Sequence, residues 1–163
     1  MQKFKIKSFC KINLFLKILN KDINNYHNIN SLITFCEPHD LISIQIINSS
    51  YDKVNFSGKF KQGINKKFNT ITKLLFILRK MGFLQSKNFK IDIKKNIPHG
   101  SGLGSGSSNA ASLLNFLNKK FKLKLSKGLK NKISREVGFD VPINLETKNS
   151  AVAGKNNKIL RFK

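Results

Sequence analysis

The sequence contains no long apolar run, and this absence excludes a membrane-spanning helix. The first fifteen residues, MQKFKIKSFCKINLF, interrupt their apolar residues with lysines, so they lack the unbroken apolar region of a secretory signal. Cysteine is also scarce: Cys10 and Cys36 are the only two, and no CxxC pair occurs. This usage indicates free, buried thiols in a reducing compartment, and we expect a cytoplasmic protein.

Negative charge is scarce as well, because eight Asp and Glu stand against 31 Lys and Arg, giving a net charge of +23. Such an excess fits either a polyanionic partner or a general bias of composition toward lysine. The basic residues are spread along the chain, and only three of them are arginine, the side chain suited to bidentate recognition of bases and phosphates. We therefore do not expect nucleic acid as the main partner, although the charge would attract a small anionic substrate.

The length of 163 residues, 40% of them hydrophobic, fits one domain with its own core. Alternating apolar residues predict strands over 4–9, 11–18, 30–35, 41–47, 54–57 and 89–93, with a short strand-like end over 150–162. Apolar residues at helical spacing predict helices over 70–81, 109–121 and 129–137. Because most strands come first and the helices cluster later, the pattern predicts the α+β class.

The stretch PHGSGLGSGSSNAAS, residues 98–112, has four glycines at every second position just ahead of a predicted helix. The first turn of a helix leaves backbone N–H groups unpaired at the positive end of its dipole, and glycine lets a phosphate approach them. Ser107, Ser108 or Asn109 could cap this helix or contact a phosphate. A flexible linker is the alternative, but a solvated linker needs neither Leu103 nor a proline at its start. The loop therefore predicts phosphate binding.

Two common phosphate motifs do not fit this loop. A Walker A loop needs a lysine after its last glycine, and none follows here. A dinucleotide-binding fingerprint needs G-x-G-x-x-G near the first strand and an acid about 20 residues further on. The glycines here are Gly100, Gly102, Gly104 and Gly106, several strands precede them, and the next acid is Glu136.

The segment IPHGSGLGSGSSNAA, residues 97–111, closely resembles the ATP-binding loop of the GHMP kinases. Three further stretches resemble blocks of one branch of that family in the same order: KINLFL at 11–16, NNYHNINSL at 24–32 and GFDVPINL at 138–145. The resemblance implies the N-terminal fold of these kinases, which is similar to a ribosomal-protein domain: a mixed sheet with helices packed on one side.

The resemblance also implies an activity. It points to ATP-dependent phosphorylation of a hydroxyl of 4-diphosphocytidyl-2-C-methyl-D-erythritol, in the non-mevalonate route to isoprenoid precursors. It implies that residues 1–163 are the ATP-binding domain and that the C-terminal domain of the family is absent from this chain. The chain is then a fragment of a longer protein, a reduced protein, or an incomplete enzyme that a second chain completes. The alternative is a non-catalytic basic module of the same fold that binds RNA or nucleotides.

The resemblance assigns two catalytic residues. Asp140 would accept the proton of the attacking hydroxyl, and Lys11 would keep that carboxylate ionised and orient the hydroxyl. Without the other motifs, the sequence around Asp140 favours a turn or helix-cap residue before Val141-Pro142. An inward lysine in an apolar strand does need a partner, and Asp140 could supply it.

Further residues follow from the same resemblance. It assigns Asn13 to the substrate, and Tyr26 and His27 to the cytidine base through stacking and hydrogen bonds. It assigns ATP binding to Asn69, Pro98, His99, Gly100, Ser101, Gly102, Leu103, Gly104, Ser105, Gly106, Ser107 and Ser108.

No metal site is expected from the protein side chains alone. His39 and Asp40 form no ligand cluster, and we interpret them as a turn before a strand. A kinase would use Mg²⁺ held mainly by the ATP phosphates and water, with a loop serine as a further ligand.

Overall fold

A computed structural model describes residues 2–21, 27–85, 87–153 and 158–162. Its elements in chain order are β1 (Lys3–Lys21), β2 (His27–Ile47), β3 (Lys53–Ser57), α1 (Thr70–Lys80), β4 (Asn88–Lys94), α2 (Ser105–Lys120), α3 (Lys127–Val137), a single-turn 3₁₀ helix (Ile143–Leu145), β5 (Ser150–Ala153) and β6 (Lys158–Arg161). Within these ranges no helix is long and apolar enough to cross a membrane.

The strands form one mixed sheet in the order β3-β4-β2-β5-β6, with β1 paired to β2 outside this path. The pairs β1/β2, β2/β4, β2/β5 and β5/β6 are antiparallel, and β3/β4 is parallel. Two strands share one edge of β2: β4 pairs with its Leu41–Ile47 part and β5 with its Ser31–Ile33 part. The predicted mixed sheet is confirmed.

The hydrophobic core lies on one side of this sheet. Alternate residues of β4, Phe89, Ile91 and Ile93, are fully buried, and Ile42 and Ile44 of β2 lie beside them. Burying side chains of this size contributes about 1.5–3 kcal/mol each. α2 packs on β1 and β2, and α1 and α3 pack against α2, so the α+β class with helices on one side is confirmed. The opposite face carries polar side chains: Lys3, Lys5, Lys7, Ser43, Lys90 and Asp92.

The two long strands β1 and β2 each join segments that the sequence pattern separates. The pairing of β1 with β2 changes register between Phe9 and Cys10, because Glu37 and Pro38 of β2 bulge out of the ladder there. In β2 the turn predicted at His39 and Asp40 is wrong, because both residues lie within the strand, opposite Phe9 and Ser8. Asp40 is tolerated there because buried donors satisfy its carboxylate.

The helices agree with the prediction except at the start of α2. α1 and α3 begin within two residues of the predicted positions, with Asn69 and Ser126 as their N-caps. α2 begins at Ser105, four residues early, and its N-cap is Gly104 with no side-chain cap. Capping by Ser107, Ser108 or Asn109 is therefore wrong, since these residues lie inside the helix.

Candidate active site

The glycine loop leads directly into α2, as phosphate binding requires. Gly100, Gly102 and Gly104 have positive φ angles of 70°, 78° and 66°. The N-terminus of α1 lies alongside, because the Thr70 hydroxyl donates a hydrogen bond of 2.8 Å to the carbonyl of Gly106. Neither α1 nor α2, both described in full, has an acidic residue in its first turn. The positive ends of two helix dipoles therefore meet at the loop and favour an anion there.

Lys11 of β1 contacts this loop through both its backbone and its side chain. Its backbone N–H donates to the carbonyl of Leu103 at 3.0 Å. Its side chain lies so close to Gly104 that a Cβ there would stand 2.8 Å from Lys11 Cγ. Glycine is required at this position both for the left-handed backbone and for the close approach of the lysine.

The ammonium group of Lys11 reaches the candidate base. Its Nζ lies 3.5 Å from Oδ2 of Asp140, and the lysine side chain is 7% exposed whereas that of the aspartate is 41% exposed. The same Nζ donates to Oδ1 of Asn13, two residues along the strand and on the same face. Asn13 in turn donates to the Ser31 hydroxyl at 2.6 Å. The expected pairing of Lys11 with Asp140 is confirmed, and the carboxylate remains open to a substrate.

The backbone around Asp140 is fixed by a short turn after α3. Asn144, in the 3₁₀ helix, donates from Nδ2 to the carbonyl of Asp140 at 2.6 Å. The N–H of Val141 donates to the carbonyl of Gly138 at 3.1 Å. The side chain of Asp140 thus projects from a held turn.

The serines of α2 have different roles. Ser105 is buried and donates to Asp40 at 2.8 Å, and Ser108 is buried and donates to the carbonyl of Phe9 at 2.5 Å. Both hydroxyls hold α2 to the sheet. Ser107 is half-buried, and no hydrogen bond within the described part of the chain engages its hydroxyl. Of these three serines, Ser107 is the one with a hydroxyl available to a phosphate.

The outer part of the loop is tied to itself and to the segment after β3. The Ser101 hydroxyl donates to the carbonyl of Pro98 at 2.9 Å. The Nε2 atom of His99 lies 2.6 Å from the carbonyl oxygen of Gln62. These contacts hold the loop folded over the start of α2.

Asn69 lies at the N-terminus of α1, where its side chain is fully engaged. Its Oδ1 accepts from the N–H groups of Ile71 and Thr72 at 3.0 Å each, and Thr72 completes a capping box. Its Nδ2 donates to the carbonyl of Asn65 at 2.9 Å. The described contacts of Asn69 therefore hold α1 in place.

Two predicted substrate contacts cannot be located. Tyr26 lies outside the described residues, and for His27 only the backbone is described, opposite Lys21 at the start of β2. Their contact with a cytidine base stays a prediction.

A buried ion pair beneath the loop is not predicted from the sequence. Asp40 is 0% and Lys95 1% exposed, and the lysine Nζ donates to Asp40 Oδ2. Burial lowers the pKa of Lys95, and hydrogen bonding to Asp40 opposes that shift. The sequence does contain a sign that Asp40 is buried, because it shares its strand face with isoleucines two and four residues further on.

The Cys10 thiol lies beside Lys11 in the sequence. Burial raises its pKa.

Comparison with known proteins identifies the fold. Residues 69–146 match the family model of the GHMP kinases N terminal domain. A crystal structure of 4-(cytidine 5'-diphospho)-2C-methyl-D-erythritol kinase superposes with a TM-score of 0.76 at 23% identity, covering 98% of this chain and 55% of that one. Mevalonate pyrophosphate decarboxylase from Streptococcus pyogenes superposes with a TM-score of 0.72 at 14% identity, covering 99% and 51%. The chain has the N-terminal fold of the GHMP kinases.

Two kinases of known name are similar to this chain in sequence. The chain is 45% identical over 163 residues to the 4-diphosphocytidyl-2-C-methyl-D-erythritol kinase of Pelagibacter ubique, covering all of this chain and 57% of that protein. It is 37% identical over 157 residues to the kinase of the same name from Petrotoga mobilis, covering 96% and 58%. The chain resembles these kinases along nearly its whole length, and it spans somewhat more than half of theirs.

Proposed function

We propose that this chain is the ATP-binding domain of a cytoplasmic kinase that phosphorylates a hydroxyl of 4-diphosphocytidyl-2-C-methyl-D-erythritol. The observation that carries the proposal is the position of Lys11. Its backbone is bonded to the glycine loop at Leu103, and its Nζ lies 3.5 Å from the exposed carboxylate of Asp140. One residue therefore joins a phosphate-binding loop to a potential base. Similarity to the kinases of Pelagibacter ubique and Petrotoga mobilis supports the substrate.

In the proposed reaction Asp140 accepts the hydroxyl proton while the hydroxyl oxygen attacks the γ-phosphorus of ATP. The bond from that phosphorus to the β–γ bridging oxygen breaks, and ADP leaves with the bond electrons. Lys11, 3.5 Å from Asp140, orients the attacking hydroxyl and offsets the charge on the transferred group. The loop amides and the N-termini of α1 and α2 stabilise the phosphate charge without reorganising.

Mg²⁺ fits this site only as an ion that ATP itself largely holds. Among the described residues no three His, Cys, Asp or Glu side chains group into a metal site. The Ser107 hydroxyl is an available donor, and a single protein ligand suits an ion that keeps phosphate and water ligands. When bound, Mg²⁺ would neutralise phosphate charge.

On the substrate side we propose that Asn13 orients the polar part of the substrate near Lys11. Its amide is held by the Ser31 hydroxyl at 2.6 Å, so it is oriented before substrate arrives. Tyr26 and His27, which precede and begin β2, would hold the cytidine base.

We further propose that a C-terminal domain, on the same polypeptide or on a second chain, completes the substrate site. The relatives are longer than this chain, which covers 57% and 58% of them. An apolar ribbon made of Leu14, Phe15, Leu16 and Ile18 of β1 is 52–63% exposed, and exposed apolar surface of this kind typically marks an interface.

The test is the variant Asp140→Asn, assayed for ATP binding and for substrate-dependent turnover with Mg²⁺. We expect turnover to fall by about 10²–10⁴-fold, the usual contribution of a general base, while the Kd for ATP changes little. Asp92→Asn is the matched control, because Asp92 lies on the open face of the sheet, where it accepts a hydrogen bond from Asn55 at 3.0 Å. It should leave both quantities unchanged.

Unchanged turnover in Asp140→Asn would contradict the proposed chemistry. If the wild-type chain binds ATP but shows no turnover, turnover of the wild type and of both variants is measured again after the C-terminal domain is added. A basic RNA-binding module would instead bind RNA equally well in both variants, and its affinity would fall steeply with salt.

A further inference from the structure

A single buried carboxylate holds both ends of the glycine loop. Oδ1 of Asp40 accepts from the backbone N–H groups of Asn96 and Ile97, at 2.8 and 3.0 Å, just before the loop. Oδ2 accepts from the Ser105 hydroxyl at 2.8 Å and from Asn109 Nδ2 at 3.1 Å, both in the first turns of α2. Asp40 therefore sets where the chain leaves β4 and where it enters α2.

Lys95 bonds this carboxylate from the other side. Its Nζ donates both to Asp40 Oδ2 and to the Ser105 hydroxyl. Its backbone is held at the end of β3, because its N–H donates to the Ser57 carbonyl at 2.7 Å and its carbonyl accepts from the Phe60 N–H at 3.3 Å. The lysine is thereby clamped between the end of β3 and the loop.

Stability alone gives little reason for such a pair. Two buried charges lose their hydration, and a well-packed apolar pair of similar volume often holds a core as well or better. What an apolar pair cannot do is bond two backbone N–H groups on one side of the loop and two side chains on the other. The hydrogen-bonding geometry of Asp40 therefore points to loop position as its purpose.

We propose that Asp40 and Lys95 are positioning residues for phosphate binding. The pair fixes the two ends of residues 98–104 so that the loop amides and the start of α2 face a nucleotide phosphate. Both side chains are buried and act through the loop they hold. The inference rests on the proposed function for the identity of the ligand, which is ATP.

The test compares Asp40→Asn with Asp52→Asn, which breaks a similar ion pair elsewhere. Asp52 bonds Arg79 through two contacts of 2.8 Å and accepts the Phe89 N–H at 2.8 Å, at the opposite end of β4 from the loop. Both variants should lower the thermal unfolding midpoint. Only Asp40→Asn should weaken ATP binding, by about tenfold or more, since small misplacements of binding groups have large effects. Only Asp40→Asn should speed backbone hydrogen exchange across residues 96–109.

Equal ATP affinity and equal exchange in Asp40→Asn and wild type would overturn the proposal. If Asp40→Asn does not fold, Ser105→Ala decides, because it removes one α2-side bond and leaves the ion pair intact. It should weaken ATP binding and speed exchange in the same direction but less, and no change in either would overturn the proposal. If the wild-type chain binds no ATP, the proposed function fails, and exchange across residues 96–109 still tests the positioning role.

Discussion

Lys11 and Gly104 depend on each other at the point where the sheet meets the loop. The lysine side chain is 7% exposed, and a buried ammonium is costly unless it has partners, which are Asp140 and Asn13 here. The lysine side chain can pack against the loop backbone because Gly104 has no side chain. The loop glycine therefore positions the lysine as well as any phosphate.

Gly104→Ala should impair both functions of that contact. The new Cβ would stand 2.8 Å from Lys11 Cγ at a φ of 66°, so we expect a loss of at least about 1 kcal/mol of unfolding free energy from the backbone alone. Displacement of Lys11 should also lower turnover by about tenfold or more. Denaturant unfolding and steady-state kinetics measure the two effects.

Gly128→Ala is the matched control for this substitution. Gly128 lies in α3 with nothing within 4 Å of the added Cβ, so alanine should leave turnover unchanged and stabilise the fold by about 0.4–1 kcal/mol. If Gly104→Ala, like this control, lowered neither turnover nor stability, the contact between Lys11 and Gly104 would not matter for function.

At the residue scale, the sequence allowed the Lys11–Asp140 pair to be predicted but not the Asp40–Lys95 pair. The first pair belongs to distinctive local contexts, KINLFL and GFDVPINL. Asp40 follows Pro38 and His39, and these neighbours suggested a turn. Lys95 is one of many lysines, and only the three-dimensional structure shows that it is 1% exposed.

Among the elements, α1 and α2 matter most to the site because their N-termini meet. The Thr70 hydroxyl bonds the Gly106 carbonyl at 2.8 Å, and Asn69 caps α1 immediately before it. The cap thus supports the site from a distance: it keeps the first turn of α1 formed, and that turn holds the first turn of α2.

Asn69→Ala tests this coupling between helices. Loss of an N-cap costs about 1 kcal/mol, and fraying of α1 should release the Thr70 contact and weaken ATP binding several-fold. Ser126→Ala removes the cap of α3, which accepts from the Leu129 N–H at 3.2 Å, and should cost similar stability without changing ATP affinity. Thermal unfolding and ATP titration of both variants give the comparison. Equal ATP affinity in the two variants would mean that the first turn of α1 does not support the site.

Elements with strong periodicity could be predicted from the sequence, whereas their ends depend on tertiary contacts. α1 ends one residue from the predicted position because its apolar spacing is clear. The sequence pattern predicts the start of α2 four residues too late, because serines are typical of loops and caps. The hydroxyls of Ser105 and Ser108 instead bond Asp40 and Phe9 from inside the helix. The sequence pattern divides β1 and β2 into two segments each, because a shift in their register and a buried acid interrupt the alternation of apolar residues.

At the scale of the whole molecule, the net charge of +23 means that most basic side chains have no acidic side chain to pair with. The eight acids cannot neutralise 31 basic residues, and Asp40, Asp52 and Asp140 are already in ion pairs that hold the fold or the site. The remaining lysines repel one another and attract anions over about one Debye length, near 8 Å at physiological salt. The same charge that weakly opposes compactness therefore favours the approach of an anion, such as the proposed ATP.

The apolar ribbon is the second property of the whole molecule, and it gives the last prediction. Leu14 and Leu16 are 63% and 52% exposed on the same strand, far more apolar surface than scattered single residues provide. Because the proposed C-terminal domain would cover this surface, the 163-residue chain alone should bind a hydrophobic dye and self-associate. Leu14→Thr with Leu16→Thr keeps strand propensity and should reduce both signals, with little change in unfolding temperature.

Phe76→Ser is the control for that experiment, because Phe76 is 66% exposed on α1 and lies outside the ribbon. It should change dye binding and self-association less than the paired threonine substitutions do. Supplying the C-terminal domain should quench the dye signal of wild type but have little effect on the threonine variant. A dye signal that the threonine substitutions leave intact would mean that the ribbon is not the interface and that the second domain, where present, docks elsewhere.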